Sequence, residues 1–221
     1  PRYDHMEHVF FRGMDAELEP SVTLFGDQFM EDGELADLNR VYLDANQAEV
    51  QSCLIGHDMA SRWSPYYLLR ARIIAELAEP RRGTVLELLR RVREAPTVNE
   101  GRQRLQAAVD ELASFDLDLA NTLVVNSERV LRDEIVLVTA TGDLRRRIKK
   151  YVVAGVFKTG SYDYDNAVVL LPLEGAMSFV DSGGGVTGLN LKLDDFGNAD
   201  LVRESLQPQY FVRTWVDQQR N

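Results

Sequence analysis

The sequence predicts an α+β fold, in which strands at both ends of the chain are joined by a group of helices. Short β-branched or apolar runs bounded by glycine occur near both ends, as is typical of buried strands. The middle of the chain instead carries apolar residues at helical spacing behind N-cap residues. The 221 residues, of which 45% are hydrophobic, are enough to bury a core of ordinary size in one or two domains.

The first strands are predicted at residues 9–11 and 51–55, where β-favouring runs end at Gly13 and Gly56. An acidic, partly helical connection is expected between them. The single cysteine, Cys53, falls in the second run and is expected to be a small buried core residue. One thiol excludes an internal disulfide.

The first helix of the middle region is predicted to have Ser64 as its N-cap and Pro65 at its first helical position. Leu68 and the apolar residues that follow it at helical spacing form one broad face. The helix is expected to stop at Pro80, because proline cannot continue a helix from within.

Three more helices are predicted downstream. Two begin with the capping box, in which a Ser or Thr and a Glu three residues later satisfy each other's free backbone groups. These pairs are Thr84 with Glu87 and Thr97 with Glu100. The last helix is predicted within residues 116–131, and the apolar positions expected to share its face are Leu117, Ala120, Leu123 or Val124, and Val130.

An antiparallel ribbon is predicted next along the chain. Residues 134–140 and 151–158 are β-branched runs, and the segment between them places Thr141, Gly142 and Asp143 at a turn. The remaining strands are predicted at residues 166–171, 186–193 and 210–216, with a helix at 198–207. The strand at 186–193 is predicted from the alternation of Leu189, Leu191 and Leu193. Residues 186–216 are therefore expected to form a β-α-β unit.

The net charge of -10 argues against nucleic acid as a partner, because phosphate binding needs a clustered basic face. The acidity is concentrated in residues 1–63, which hold 13 acidic and 4 basic side chains. One face of the protein is expected to be acidic. No stretch approaches the roughly 20 consecutive apolar residues that a membrane-spanning helix needs.

One basic cluster stands out against this acidic background. Arg145, Arg146 and Arg147, with Lys149 and Lys150, lie near the predicted hairpin turn. A solvated hairpin tip is the simplest interpretation. The alternative is that Arg145, Arg146 and Arg147 dock an acidic partner surface, helped by electrostatic steering.

Metal binding is not predicted, although one cluster has metal-ligand character. His5 and His8, with Asp4 and Glu7, lie close to the N-terminus. Residues three apart share a face on a helix but point to opposite faces on a strand, and this segment leads into a strand. Zinc sites also need three or four protein ligands. His57 is expected to lie in a loop or at a helix start.

No catalytic residue or cofactor site is predicted. Gly183, Gly185 and Gly188 match the dinucleotide pattern G-x-G-x-x-G, but they lead into a predicted strand and not into a helix. Asp163, Asp165 and Asn166 in the "SYDYDN" loop are not expected to bind calcium, because the loop lacks the glycine and glutamate of an EF-hand. A phosphate-binding Walker motif and a G-x-S-x-G nucleophile elbow are both absent from the sequence.

Three segments of the last third follow one another in a fixed order: "YVVAGVFKTGSYDYDNAVVLLPLEGA", "GVTGLNLKLDD" and "VRTWVDQQRN". Together they resemble the periplasmic domain of LolC/LolE-type lipoprotein-releasing ABC permeases, within the wider MacB/FtsX-like class. The resemblance is specific because it combines several ordered elements.

The resemblance implies a division into a porter-like α/β part and a β-rich part called Sabre. Residues 1–13 and 184–221 would be porter-like, with the N-terminal portion missing, and residues 14–183 Sabre-like. Residues 64–131 would be a helical subdomain inserted into the Sabre-like part. The resemblance also implies membrane spans beyond both ends, so that the two ends of the chain are expected to be cut points.

The implied function is that of a non-catalytic periplasmic domain of an inner-membrane permease. Its partners would be an ABC ATPase, a second permease subunit, lipoprotein and a periplasmic lipoprotein carrier. The hairpin at 138–151 corresponds to a hook that contacts the carrier in LolC-like subunits, but its tip is shorter and lacks proline. LolC-like and LolE-like roles both remain open.

Three alternatives remain at this point. One is a MacB-like or FtsX-like exporter or regulator with another cargo. Another is a periplasmic metal-dependent enzyme that uses His5 and His8. The third is an interaction module whose helical insertion exposes an apolar patch.

Overall fold

The computed structural model describes residues 7–23, 25, 29–125, 131, 133–140, 145–207, 209–214 and 217. These residues form an α+β fold, as predicted, with one mixed seven-stranded sheet. The strands are β1 (Phe10–Met14), β2 (Met30–Asp32), β3 (Val41–Leu43), β4 (Glu49–Gly56), β5 (Glu134–Ala140), β6 (Arg146–Phe157) and β7 (Val168–Pro172).

Helices separate the strands along the chain. The α-helices in the described part are α1 (Glu19–Val22), α2 (His57–Trp63), α3 (Pro65–Glu76), α4 (Arg81–Arg93), α5 (Val98–Ala113), α6 (Leu117–Val125), α7 (Tyr162–Ala167), α8 (Leu173–Val180) and α9 (Ala199–Leu206). Two 3-10 helices cover Leu35–Asn39 and Phe196–Asn198. Among the described residues, no helix is long and apolar enough to span a bilayer.

The sheet contains both parallel and antiparallel strand pairs. Its strand order is β1-β7-β4-β6-β2, with β3 paired to β4 and β5 paired to β6. The β1–β7 and β4–β6 pairs are parallel, whereas β4–β7, β2–β6, β3–β4 and β5–β6 are antiparallel. Strand β6 is therefore both a central strand, through residues 152–157, and one arm of a hairpin, through residues 146–152.

The central strands are buried on both faces. One face packs around Cys53, Ile55, Tyr151 and Phe179, and the other around Leu54 and its neighbours. Cys53 is fully buried, as predicted, and burial raises the pKa of its thiol well above the ordinary range. A buried neutral thiol of this kind is a packing residue and not a nucleophile.

The helices α3 to α6 have a hydrophobic core of their own. Its buried residues include Ile73, Val85, Leu89, Leu112 and Leu123. An amphipathic helix gains most of its stability from packing such a face against neighbours. These four helices are called the helical unit below; the wider division into subdomains stays a prediction.

The predicted helix starts are confirmed at two positions and wrong at a third. Ser64 accepts a hydrogen bond from the Tyr67 backbone amide, and Thr97 accepts one from Glu100. Thr84, by contrast, lies inside α4, which already begins at Arg81. Glu87 therefore pairs with the following arginines instead of closing a capping box.

Two further helix predictions are corrected in detail. Helix α3 ends at Glu76, before the expected stop at Pro80. The buried face of α6 is formed by Leu119, Ala120 and Leu123, whereas Leu117 and Val124 are exposed. Val130 lies outside the described residues.

The strand predicted at residues 186–193 is wrong. These residues form no ladder, and Leu189 and Leu191 are 81% and 61% exposed. Alternating leucines stabilise a strand only where a sheet buries one face of it, and no described strand lies beside this segment. The strand predicted at 210–216 is also absent over 210–214, while 215–216 lie outside the described residues. The helix predicted between them is confirmed as α9.

The "SYDYDN" segment forms a short helix, α7, anchored by one buried carboxylate. Asp165 accepts hydrogen bonds from the Thr159 amide at 2.7 Å, the Thr159 hydroxyl at 2.9 Å and the Gly160 amide at 2.9 Å. Such bonds satisfy backbone groups that the loop would otherwise leave unpaired. Asp165 is thus a structural residue.

Candidate docking hairpin and polar junction

The basic cluster lies on a regular antiparallel hairpin formed by β5 and β6. Its register pairs Glu134 with Val152 at one end and Ala140 with Arg146 at the other. Side chains alternate between two faces of such a ribbon. The predicted ribbon is therefore confirmed, while its turn residues, Thr141, Gly142 and Asp143, lie outside the described residues.

The inner face of the hairpin is tied to the rest of the protein. Arg147 donates to the Ser178 carbonyl at 3.0 Å and pairs with Asp181 at 2.6 Å, at the end of α8. Lys149 donates to the Gln51 side chain at 2.7 Å, and burial lowers the pKa of its ammonium group. These contacts tie the basic segment of β6 to α8 and to β4.

The outer face is exposed and combines apolar with basic side chains. Val138 and Ile148 are direct cross-strand partners, and they are 54% and 68% exposed. Arg146 and Lys150 flank Ile148 on the same face, and Lys150 pairs with Glu134 at 2.9 Å. An exposed apolar pair bordered by charge is a common composition for a binding surface.

The three predicted docking residues therefore have different environments. Arg145 and Arg146 are exposed at the start of β6, whereas Arg147 is half-buried and engaged with α8. A docking role for them stays a prediction. An exposed face that combines apolar and basic side chains suits contact with an acidic or apolar partner.

A second feature, the polar junction, connects the helical unit to the sheet. It consists of Asp32, Ser64, Arg70, Arg93 and Asp133. The Arg93 guanidinium pairs with Asp32 and lies 4.6 Å from the centre of the Tyr66 ring. Arg70 also pairs with Asp32, at 3.2 Å. The side chains of Arg93 and Asp32 are 7% and 11% exposed, so this is a desolvated ion pair.

The other half of the junction ties the two ends of the helical unit together. The Ser64 hydroxyl, just before α3, donates to the carboxyl group of Asp133, just before β5. Burial raises the pKa of Asp133 to about 7, although its bonds with Ser64 and the Tyr66 backbone act in the opposite direction. The Asp133 Oδ1 atom is buried without a hydrogen-bond partner in the described structure.

Arg93→Met is expected to lower the free energy of unfolding by about 3 kcal/mol, because it leaves the Asp32 carboxylate desolvated with one of its two cations. Methionine keeps much of the side-chain volume, so the loss reports charge more than packing. Urea denaturation followed by circular dichroism measures the effect. The matched control is Arg91→Met, two residues away at an exposed position, which should change stability by less than about 0.5 kcal/mol. Similar losses in both variants would contradict the assignment.

A third polar group lies where β4 passes into α2. The His57 Nδ1 atom is 2.5 Å from Glu31 Oε2 and 2.8 Å from the Tyr67 hydroxyl. Burial and the bond with Glu31 raise the pKa of Tyr67 above its ordinary range. His57 is at a helix start, as predicted, and its partners show that it links β2, α2 and α3.

The remaining candidate residues are not brought together. His8 is exposed and lies in a segment without regular secondary structure, and His5 lies outside the described residues. Within the described ranges, no three side chains of His, Cys, Asp or Glu are grouped closely enough to hold a metal ion. Gly183 and Gly184 have positive φ angles of 64° and 87°, which is typical of a turn.

An open cleft of about 400 Å³ lies beside the C-terminal end of β1. It is lined by Met14, Asp15, Glu17, Leu38, Asn39, Arg40, Val41, Gln51, Pro172, Leu173 and Glu174. The cationic side chain in this lining, Arg40, is already paired with Asp37 and Glu94. No histidine, cysteine or serine is among the described residues that line the cleft.

The polar junction was missed by reasoning from the sequence, because its members are far apart along the chain. Ser64 was identified as an N-cap, but its second bond, to Asp133, has no local signal. Arg93 has one weak signal: it lies on α4 four residues after the buried Leu89, and therefore on the same face of the helix. A charged residue on a predicted buried face indicates a buried ion pair.

Comparison with known proteins gives a distant and local similarity. Over 117 residues, the chain is 27% identical to the lipoprotein-releasing system transmembrane protein LolC of Neisseria meningitidis serogroup B. The alignment covers 48% of this chain and 28% of LolC, less than a third of that protein's length. No protein-family profile matches the chain. The similarity supports in part the resemblance seen in the C-terminal motifs, at the level of the permease and not of the wider MacB/FtsX-like class.

Proposed function

We propose that this chain is a non-catalytic domain of an ABC transporter permease subunit that takes part in lipoprotein release from the inner membrane. The observation that carries the proposal is the 117-residue similarity to LolC, whose name describes a lipoprotein-releasing transmembrane protein. The domain would lie in the periplasm. Its partners would be a cytoplasmic ATPase, a second permease subunit, the lipoprotein and a soluble lipoprotein carrier.

Two structural features support this role. The β5–β6 hairpin presents Val138, Ile148 and Arg146 on an exposed face. Arg147, on the opposite face, fixes the hairpin to α8. The polar junction ties the helical unit to β2 and β5. A movement of the sheet driven by the ATPase would therefore carry the hairpin and the helical unit with it.

The first test is the membrane topology of the full-length native protein. A tag inserted at Gly142 should be open to protease added to the periplasmic side and protected from protease on the cytoplasmic side. The protein should fractionate with the inner membrane. Recovery of the native protein outside the membrane fraction would overturn the proposal.

The second test identifies the cargo. A photo-crosslinking residue at Ile148, on the outer face of the hairpin, should capture lipoprotein or its carrier in cells with an active ATPase. The control site is Gln106, an exposed position on α5 in the helical unit. Adducts with another class of cargo at Ile148 would support a MacB-like or FtsX-like exporter instead.

A further inference from the structure

We propose that the free edge of β5 binds an extended, acidic segment of a partner protein by strand addition. The inference stands on the register, exposure and charge of the hairpin, and it is independent of the function proposed above. Strand addition uses backbone hydrogen bonds for affinity and alternate side chains for specificity.

The register shows which backbone groups of β5 are available. The Val153 amide donates to the Asp133 carbonyl at 2.8 Å, one position before the first pair of the ladder. In an antiparallel ladder, alternate residues direct their N–H and C=O groups toward the partner strand and away from it. The backbone carbonyl of Asp133 points toward β6, so the backbone groups of every second residue after it do the same. The backbone groups of the residues between them point away from β6, and these residues are Glu134, Val136, Val138 and Ala140.

This edge has no strand partner in the described part of the chain, and it lacks the usual protection. The ladder with β6 runs through β5 without a bulge, and β5 contains no proline, lysine or arginine. Its single charged residue, Glu134, is at the start and pairs with Lys150. Natural sheets protect exposed edges with these features because an open edge invites pairing with other chains. An unprotected edge of β-branched residues is therefore suited to a partner strand.

The side chains beside the edge would contact alternate residues of an added strand. Val136 and Val138 lie on the outer face. The exposed side chain of Ile148, the cross-strand partner of Val138, enlarges the apolar surface there. Cross-strand pairs of β-branched residues stabilise a sheet. An added strand would thus continue the exposed apolar strip of the hairpin.

The charge of the hairpin selects an acidic partner. Residues 145–150 contain five basic side chains. Arg147 pairs with Asp181, Lys150 pairs with Glu134 and Lys149 donates to Gln51, which is neutral, so the basic side chains outnumber these acidic partners. Neighbouring strands lie about 5 Å apart, so a strand added to β5 would lie about 10 Å from β6. Acidic side chains on the added strand would therefore be attracted to the basic side chains of β6, most strongly at low salt. A second copy of β5 would bring its own basic β6 strand, which makes self-pairing unfavourable.

The test uses two labelled peptides and the 221-residue chain. In one peptide, glutamate alternates with valine; in the other, lysine replaces glutamate. Fluorescence anisotropy should show the glutamate peptide binding at least about tenfold more tightly, with an affinity that falls as salt is raised. Hydrogen exchange should slow at the amides of Val136 and Val138 when the peptide binds, and not at Leu137, whose amide already faces β6.

Val138→Pro removes one outward amide without removing a bond to β6, and proline is tolerated at such an edge. It should weaken peptide binding by at least about tenfold, whereas Val138→Ala, which keeps the amide, should have a much smaller effect. Equal binding of the two peptides, or full binding by a folded Val138→Pro variant, would overturn the proposal. So would a dimer of the wild-type chain that Val138→Pro abolishes, because the edge would then belong to a second copy. If Val138→Pro does not fold, the exchange pattern of the wild-type chain decides.

Discussion

Gly155→Val is expected to lower the free energy of unfolding by about 4 kcal/mol, because the centre of the sheet has no space for a side chain at this position. A Cβ atom on Gly155 would lie 2.7 Å from the Asp32 carbonyl oxygen and 2.8 Å from a methyl group of Leu54. The first of these is backbone of β2 and cannot move without breaking the β2–β6 pair. The β4–β6 register also shifts next to this glycine, between Cys53 and Leu54.

The matched control is Gly188→Val, since a Cβ atom on Gly188 would have no neighbour within 4 Å. Arg146→Ala, at the exposed start of β6, is a second control. Both should change stability by less than about 0.5 kcal/mol in urea denaturation. Equal unfolding midpoints for Gly155→Val and Gly188→Val would contradict the close approach of the β2 backbone to Gly155 in β6.

Asp133→Asn is expected to be increasingly stabilising, relative to the wild type, as the pH rises. The folded pKa of Asp133, about 7, lies above the ordinary value of 3.8. Between these pH values the folded state holds a proton that the unfolded state has released, so stability falls as pH rises toward 7. The full difference between the two pKa values corresponds to about 4 kcal/mol in the free energy of unfolding. Asparagine is neutral throughout and still accepts the hydrogen bond from Ser64.

The measurement is the free energy of unfolding of both proteins at several values between pH 4 and pH 8. The difference between variant and wild type should grow up to about pH 7 and then stay constant. Asp110→Asn, at an exposed position on α5, is the control for a general effect of removing one negative charge. A difference that is constant across this range would mean that Asp133 is ionised throughout.

The parts of the fold that could be predicted from sequence are those with local causes. The N-caps Ser64 and Thr97 act on amides three residues away, and both predictions are confirmed. Strand β5 has the predicted bounds because its β-branched run is bordered by polar residues. The predicted start of α4 is wrong because a local pattern can also mislead. Thr84 and Glu87 match a capping box, but they lie within a helix that already begins at Arg81.

The parts that could not be predicted depend on distant partners. Residues 186–193 have a strand pattern, but the described sheet offers them no edge. The polar junction is the opposite case, because it forms without any sequence pattern that predicts it. Asp32, Arg93 and Asp133 lie close together in the structure although they are far apart along the chain. The basic cluster was recognised, but the engagement of Arg147 with α8 depends on the position of Asp181.

The parallel pairing of β4 with β6 has a consequence for how this protein folds. Partners such as Ser52 and Val152 are about a hundred positions apart in sequence. Contacts of such high contact order form slowly, because a long loop must close first. The helices between them make mostly local contacts and can form their core early. Once this core has formed, the hydrogen bond between Ser64 and Asp133 holds the two ends of the helical unit together. The helical unit thereby shortens the effective loop between β4 and β6, and the slowest step in forming the sheet becomes an encounter between neighbouring segments.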